Sequence, residues 1–475
     1  MTEIEIDQKS GAKRQPTRLE ALLPFVVMAV LLGVGYGVLR LRIEVLLIAA
    51  AAVAGLVASR LGYSWAELQT GIIDGIAKAL PAVLILVSVG ALIGSWIAAG
   101  TIPLLLQLGL RTISPRFFLV TACLLCSLVS LFTGTSWGTV GTIGIALMGI
   151  AVSLGVPPGA AAGAIVAGAY FGDKLSPFSD TTNLAPVAAG SNLFDHIRHM
   201  LWTTLPAWIL GLTVYLLVGL RAPGTSSPAR VAEISQTLAT AYVLSPWLLL
   251  PALVVLYFAL RQRPTVPGIL AASGLAGLLA VVIQGEPLAD VVAAMVTGYV
   301  ADTGDAAVDS LLSRGGMGPM MEVTLIVFAA FSFAGIASRA GLLDVALGYL
   351  LQATRSTGQL VAATVGSTVF TALITGSSYL TILMPGELFA PAYRERKLAA
   401  KNLSRTLEDS GTVVVPLVPW SAAGVFMAAT LGVPTISYLP WAVLNYTGFL
   451  FAILYGFTGL AIAPKRREDE TLPGS

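Results

Sequence analysis

The chain is poor in charge: only 11% of its 475 residues are Asp, Glu, Lys or Arg, against roughly 25% in soluble domains. That shortage excludes a freely dissolved globular protein, and the near-neutral balance of +2 offers no basic surface for nucleic acid. Cysteine is scarcer still. Cys123 and Cys126 are the only two, too few for a disulfide framework or for the four ligands of a structural zinc, and their spacing puts both on one helical face as packing residues. There are two histidines, His196 and His199, in what reads as a polar loop, so a histidine proton relay is disfavoured. No phosphate-binding loop and no nucleophile paired with a base appears. No catalytic residue and no cofactor is expected, and the chain does not read as an enzyme.

What the chain has in abundance is apolar sequence, 56% of residues, and 49 glycines that suit close helix packing in lipid. A span needs about 20 apolar residues, and such runs fall near 21–40, 43–61, 75–98, 201–220, 243–260, 267–283, 322–339 and 441–460. The stretches 116–155 and 357–393 are apolar with polar, glycine-rich centres, 158–190 and 406–431 read as spans broken near the middle, and 102–110 as a short interfacial helix. Residues 1–19 read as a disordered tail before an uncleaved first span. Trp202, Trp208, Trp247 and Trp441 lie near span ends, where interfacial anchors are expected.

The irregular stretches recur. AGLV at 54–57 returns as AGLL at 276–279, Gly94 with Ala99-Gly100 as Gly335 with Ala340-Gly341, and TGTSW at 133–137 as TGSSY at 375–379, in one order and about 220 to 242 residues apart. The expected fold is therefore an all-α polytopic membrane protein of two inverted repeats, each of about five spans plus a re-entrant hairpin and a broken helix. Its divisions are a cytoplasmic tail (1–19), a first repeat (20–220), a linker (221–242), a second repeat (243–463) and a second cytoplasmic tail (464–475). Basic residues in the tails, at Arg261 and Arg263, and from Arg394 to Arg405 place both termini in the cytoplasm; Arg40 and Arg42 run against that orientation.

Unwound backbone survives in a bilayer only where it is buried in protein or lines a wet cavity. Four breaks therefore mark a pathway: the tips TGTSWGT (133–139) and TGSSYLT (375–381), and the broken spans GDKLSPFSDTTN (172–183) and EDSGTVVVPLVP (408–419). A charge at the bilayer centre costs about 2.5 to 3.5 kcal/mol on insertion scales, so Asp173, Asp180 and Asp409 read as functional. Asp180 and Asp409, each followed by hydroxyl residues, are the first candidates for holding a sodium ion, a hard cation that takes oxygen ligands. Lys174 reads as a site residue or as the ion-pair partner of Asp173, Glu408 as a site residue or a surface one, and Glu387 as one that faces the cavity or does not. Thr135, Ser136, Ser377 and Ser378 at the tips are expected to line the site. Sodium and proton competing for the same carboxylate oxygens would make an exchanger.

At these residues the chain resembles the NhaC family of sodium/proton antiporters, on GDKLSPFSDTTNLAP at 172–186 preceded by TGTSWGT, and on EDSGTVVVPLVPWSAAGVFMAATLGV at 408–433. The resemblance covers roughly residues 70 to 460. It implies a secondary active transporter of a bacterial inner membrane, working by alternating access and built as a homodimer. It also implies cation- and proton-binding roles for Asp173, Asp180, Thr181, Thr182 and Asn183 in the first motif and for Asp409, Ser410 and Thr412 in the second. The alternative within the resemblance is a sodium-coupled transporter or exchanger of an organic anion or amino acid.

Overall fold

A computed structural model describes residues 13–221, 224–352 and 354–465. Residues 1–12 and 466–475, which hold most of both expected tails, lie outside the described residues. Apart from one isolated bridge between Leu398 and Pro464, regular structure among the described residues is helical. Nine helices there are long and apolar enough to cross a membrane, or up to twelve spans if each of three bent pairs counts as one. Large apolar side chains such as Leu56, Leu84, Ile209, Leu278 and Leu454 stand exposed along them, as the lipid-facing surface of a multi-span membrane protein requires.

Sequence dictates where these helices start. Ser64 caps Trp65–Ala98 and Ser356 caps Thr357–Thr375, each in a reciprocal capping box, with Glu67 and Gln359 three residues on. Trp65–Ala98 crosses Met317–Arg339 at backbone distance: a Cβ on Gly75 would lie 2.4 Å from the Phe331 carbonyl oxygen. These two helices come from opposite halves. Both turn at a left-handed glycine, Gly100 and Gly341, the positions that the sequence pairs.

Three expected features take definite form. The stretch 221–242, expected as a linker, contains the helix Pro228–Ala241, and Arg230 in it forms an ion pair of 2.8 Å with Asp305 of the following acidic loop. The stretch 102–110 belongs to Thr101–Thr112, a short helix that buries Ile102, Leu106 and Gln107 on one face and leaves Leu108, Arg111 and Thr112 exposed on the other. Of the expected tryptophan anchors, Trp202 and Trp247 are exposed, but Trp208 stacks on Phe171 at 4.4 Å and donates to the Ser127 hydroxyl at 3.1 Å; it is a packing residue.

Candidate functional site

The first hairpin, Pro115–Thr133 and Ser136–Ser153, turns at Gly134; the second, Thr357–Thr375 and Ser378–Glu395, turns at Gly376. Both glycines are left-handed, φ 68° and 60°, a conformation that costs glycine little and other residues more. In each tip the next residue caps the return helix: Thr135 accepts from the Gly138 N–H and Ser377 from the Leu380 N–H.

Each tip meets the break of its own half. The first broken span is Pro158–Leu175 and Asp180–Ala189; the second is Ala400–Leu417 and Ala422–Leu431, bent by 49°. A Cβ on Gly134 would lie 2.7 Å from the Phe178 carbonyl carbon, and one on Gly376 would lie 3.0 Å from the Ser421 Cα. Ser179 and Ser421 restart the helices as matching caps. The first hairpin is held against its broken span along Gly168 and Gly172, whose Cβ positions would fall 2.3 Å from the Cys123 carbonyl oxygen and 2.4 Å from the Ser127 carbonyl oxygen. That contact explains the small-residue sequence of both helices, and it encloses Cys123 and Cys126, both buried thiols.

The tips and breaks border a cavity of about 890 Å³. Thr135, Ser136, Asp173, Asp180, Thr181, Ser377, Ser378 and Thr412 line it, as expected from sequence. Ser136 donates to Asp173 Oδ2 at 2.7 Å. Thr181 donates to Glu408 Oε1 at 3.3 Å, joining the halves. Tyr379, on the second tip, donates to Asp180 Oδ2 of the first broken span. The remaining oxygens Asp173 Oδ1, Glu408 Oε2, Asp409 Oδ2 and Thr412 Oγ1 are buried with no partner among the described residues. Buried carboxylate oxygens are ordinarily hydrogen-bonded or paired with cations, so this cluster has the donor set of a cation site.

Several expected residues take other places. Lys174 pairs with Asp409 of the other half rather than with its neighbour Asp173; one turn of helix points adjacent side chains apart, and the broken spans bring residue 409 opposite. Asp180 is held by Tyr379 and Asp409 by Lys174, and no group of three or more His, Cys, Asp or Glu side chains close enough to hold a metal ion occurs among the described residues. Glu408 is fully buried, not at the surface. Thr182 donates to the Asp173 carbonyl, and Asn183, exposed, donates to the Pro177 and Ser179 carbonyls; both satisfy backbone freed by the break. Ser410 is likewise engaged, with the Thr406 carbonyl and the Thr368 hydroxyl, each at 2.5 Å. Glu387 is exposed and does not line the cavity. His196 and His199 are not in a loop: they lie buried in Leu193–Arg221 against Ser404 and Asn402, at 2.9 and 3.1 Å.

The sequence reading missed Tyr170, Tyr379 and the two cations Lys78 and Arg263 at the cavity wall. Lys78 carried a signal, a lone charge within an apolar run. Arg405 was also missed, a fully buried guanidinium that the sequence places in a basic cytoplasmic run.

Hairpins and broken spans around a cavity that carboxylates and hydroxyls enter, in a chain of many apolar helices, define a multi-span membrane transporter. Residues 168–460 match the model of the Na+/H+ antiporter family. The chain is 44% identical to an uncharacterized Na(+)/H(+) antiporter of Haemophilus influenzae and 40% identical to the Na(+)/H(+) antiporter NhaC of Alkalihalophilus pseudofirmus, each across 96% of this chain and 98% of the relative. It is 37% identical to the malate-2H(+)/Na(+)-lactate antiporter of Bacillus subtilis, across 94% of this chain and 96% of the relative. The chain belongs to the Na+/H+ antiporter family.

Proposed function

We propose that this protein exchanges sodium for protons across a bacterial inner membrane by alternating access, with both termini in the cytoplasm and the two halves inverted with respect to one another. The observation that carries this reading is the pair of buried, unpartnered oxygens Asp173 Oδ1 and Glu408 Oε2, one from each half. A buried carboxylate oxygen without a hydrogen-bond partner is costly in its ionised form, so each has use for a positive charge. A proton or a sodium ion supplies it, and the two cannot occupy one oxygen together. Ser136 and Thr181 orient the carboxylates, leaving an oxygen of each free for the transported cation, while Thr412 and the tip hydroxyls complete an oxygen-rich surround of the kind a hard cation takes.

Competition sets the sign of the pH effect. As pH falls, protons fill the site and the apparent KM for sodium rises, while the limiting rate at saturating sodium holds. The test is purified protein in liposomes with sodium and pH gradients imposed separately: each gradient should drive the other ion. If neither does so, antiport is wrong.

A second reading has its own observation. A cavity of about 890 Å³ with Lys78 and Arg263 on its wall is the size of small-molecule sites, and a relative of similar length is named for malate and lactate. In that reading sodium occupies the carboxylates and an organic anion fills the cavity beside the two cations. Sodium-dependent thermal stabilisation by a particular small carboxylate, absent in Lys78→Met, would favour it over simple antiport.

A further inference from the structure

Arg405 lies one helical turn before Asp409, fully buried, and is not part of the cavity lining. Its Nη1 donates to the Ala461 carbonyl at 2.9 Å, and the guanidinium lies 6.0 Å from the centre of the Tyr455 ring. Its Nε and Nη2 have no partner among the described residues. Those two N–H groups form the side-on edge of a guanidinium, the edge that receives both oxygens of a carboxylate. An exposed arginine leaves this edge to water; a buried one ordinarily does not leave it empty.

The carboxylate one helical turn on is Asp409, and its charge acts on Arg405. Residues four apart share a helix face, and side chains lean toward the helix N-terminus, which tips Asp409 back over the Arg405 turn. Asp409 is held elsewhere, by Lys174 of the first half through Oδ1, and its Oδ2 is open. One anion thus pairs with one buried cation and shares a helix face with a second, and the anion and that second cation each have polar atoms without a partner among the described residues.

We infer that Asp409 has two alternative partners: it pairs with Lys174 when the site is empty and passes to the Nε and Nη2 edge of Arg405 when a cation occupies the neighbouring carboxylates. This rests on the antiport reading for the identity of that cation. Lys174, Asp173 and Asp409 are the charges that act on Glu408, so an arriving sodium ion sits beside the Lys174 ammonium and repels it. Withdrawal of Lys174 would strand Asp409 as a bare buried charge, a costly state; Arg405 takes up that charge without water having to enter. Because Lys174–Asp409 crosses between halves whereas Arg405–Asp409 lies within one helix, the exchange of partners removes one charged tie between the halves when a cation binds. Arg405 is thereby a positioning residue that acts through Asp409. An external anion is a poorer occupant of the Arg405 edge, because the guanidinium lies away from the cavity.

The test is nitrogen NMR of the full chain, carrying 15N-labelled arginine side chains, in lipid nanodiscs, with the Arg405 Nε signal assigned by its loss in R405K. If R405K does not assemble, Y455L assigns it, since removing the ring beside the guanidinium shifts that signal. Adding sodium chloride in place of choline chloride should move the Arg405 Nε signal in the native chain and leave it in place in D409N. In liposomes R405K, which keeps the charge without the two-donor edge, should lower the exchange rate about tenfold while keeping the sodium KM within about twofold. A signal indifferent to sodium, or an R405K rate within about twofold of native, overturns the inference, as does a joint loss of sodium binding and rate, which would mark a structural role only. Failure of native protein to couple sodium and proton gradients while the signal still responds removes the antiport reading alone; an unresponsive signal with coupling intact removes the two-partner arrangement alone.

Discussion

Tyr379 and Asp180 touch across the two halves of the molecule: the phenol on the second hairpin tip donates to the carboxylate at the start of the helix after the first break. Both side chains are open to the cavity. Tyr379→Phe removes the donor and keeps the ring. A hydrogen bond to a charged group contributes about 1.5 to 3 kcal/mol, so exchange measured in everted vesicles should fall about tenfold with expression unchanged.

Asp173 is the carboxylate fastened to the first tip, through Ser136. Asp173→Asn keeps the shape and removes the ionisable oxygen, and sodium-dependent proton movement should be abolished. Ser136→Ala leaves the carboxylate ionisable but unoriented, and should retain exchange at a rate about three- to tenfold lower. A flux assay on the two variants at matched protein level separates these outcomes.

The Lys174–Asp409 pair is buried on both sides. Losing one member of such a pair costs about 3 to 5 kcal/mol, whereas removing both together costs far less. Thermal unfolding in detergent should therefore show Lys174→Met and Asp409→Asn each strongly destabilised, and the double variant closer to the native chain than either single one, with exchange absent from all three.

Much of this was legible in the sequence. Thr133-Gly134-Thr135 and Thr375-Gly376-Ser377 announced two matching turns because a left-handed glycine followed by a hydroxyl cap is a local requirement, readable without knowing the fold. The breaks at 176–179 and 411–421 were visible for the same reason: polar residues and prolines interrupt apolar runs. Partnerships were not legible. Nothing local distinguishes Lys174 pairing with Asp173 from Lys174 pairing with Asp409, since the choice is made by how two distant broken helices lie against one another. Arg405 and the two histidines were misplaced because polar side chains in short amphipathic stretches read as surface until their partners are known: Ser404 and Asn402 for the histidines, and the Ala461 carbonyl for Arg405.

Gly134 and Gly190 both adopt positive φ, 68° and 75°, but the space around them differs. A Cβ at Gly134 meets the Phe178 backbone at 2.7 Å, and one at Gly190 meets nothing within 4 Å. Gly190→Ala should cost about 1 kcal/mol of backbone strain, and Gly134→Ala about 1 to 3 kcal/mol more, from a collision that backbone cannot relieve. Thermal unfolding ranks the pair, and transport should fail in Gly134→Ala alone because the tip is displaced from the break.

The seam at Gly168 and Gly172 leaves no slack between a hairpin arm and the broken helix beside it. Two backbones that touch without side chains between them cannot slide past each other without colliding. Any displacement that opens the cavity to alternate faces of the bilayer must therefore carry the first hairpin and the first broken span as one block, with Asp173 and Ser136 riding together, and the shear must fall on contacts where side chains, not main chains, meet.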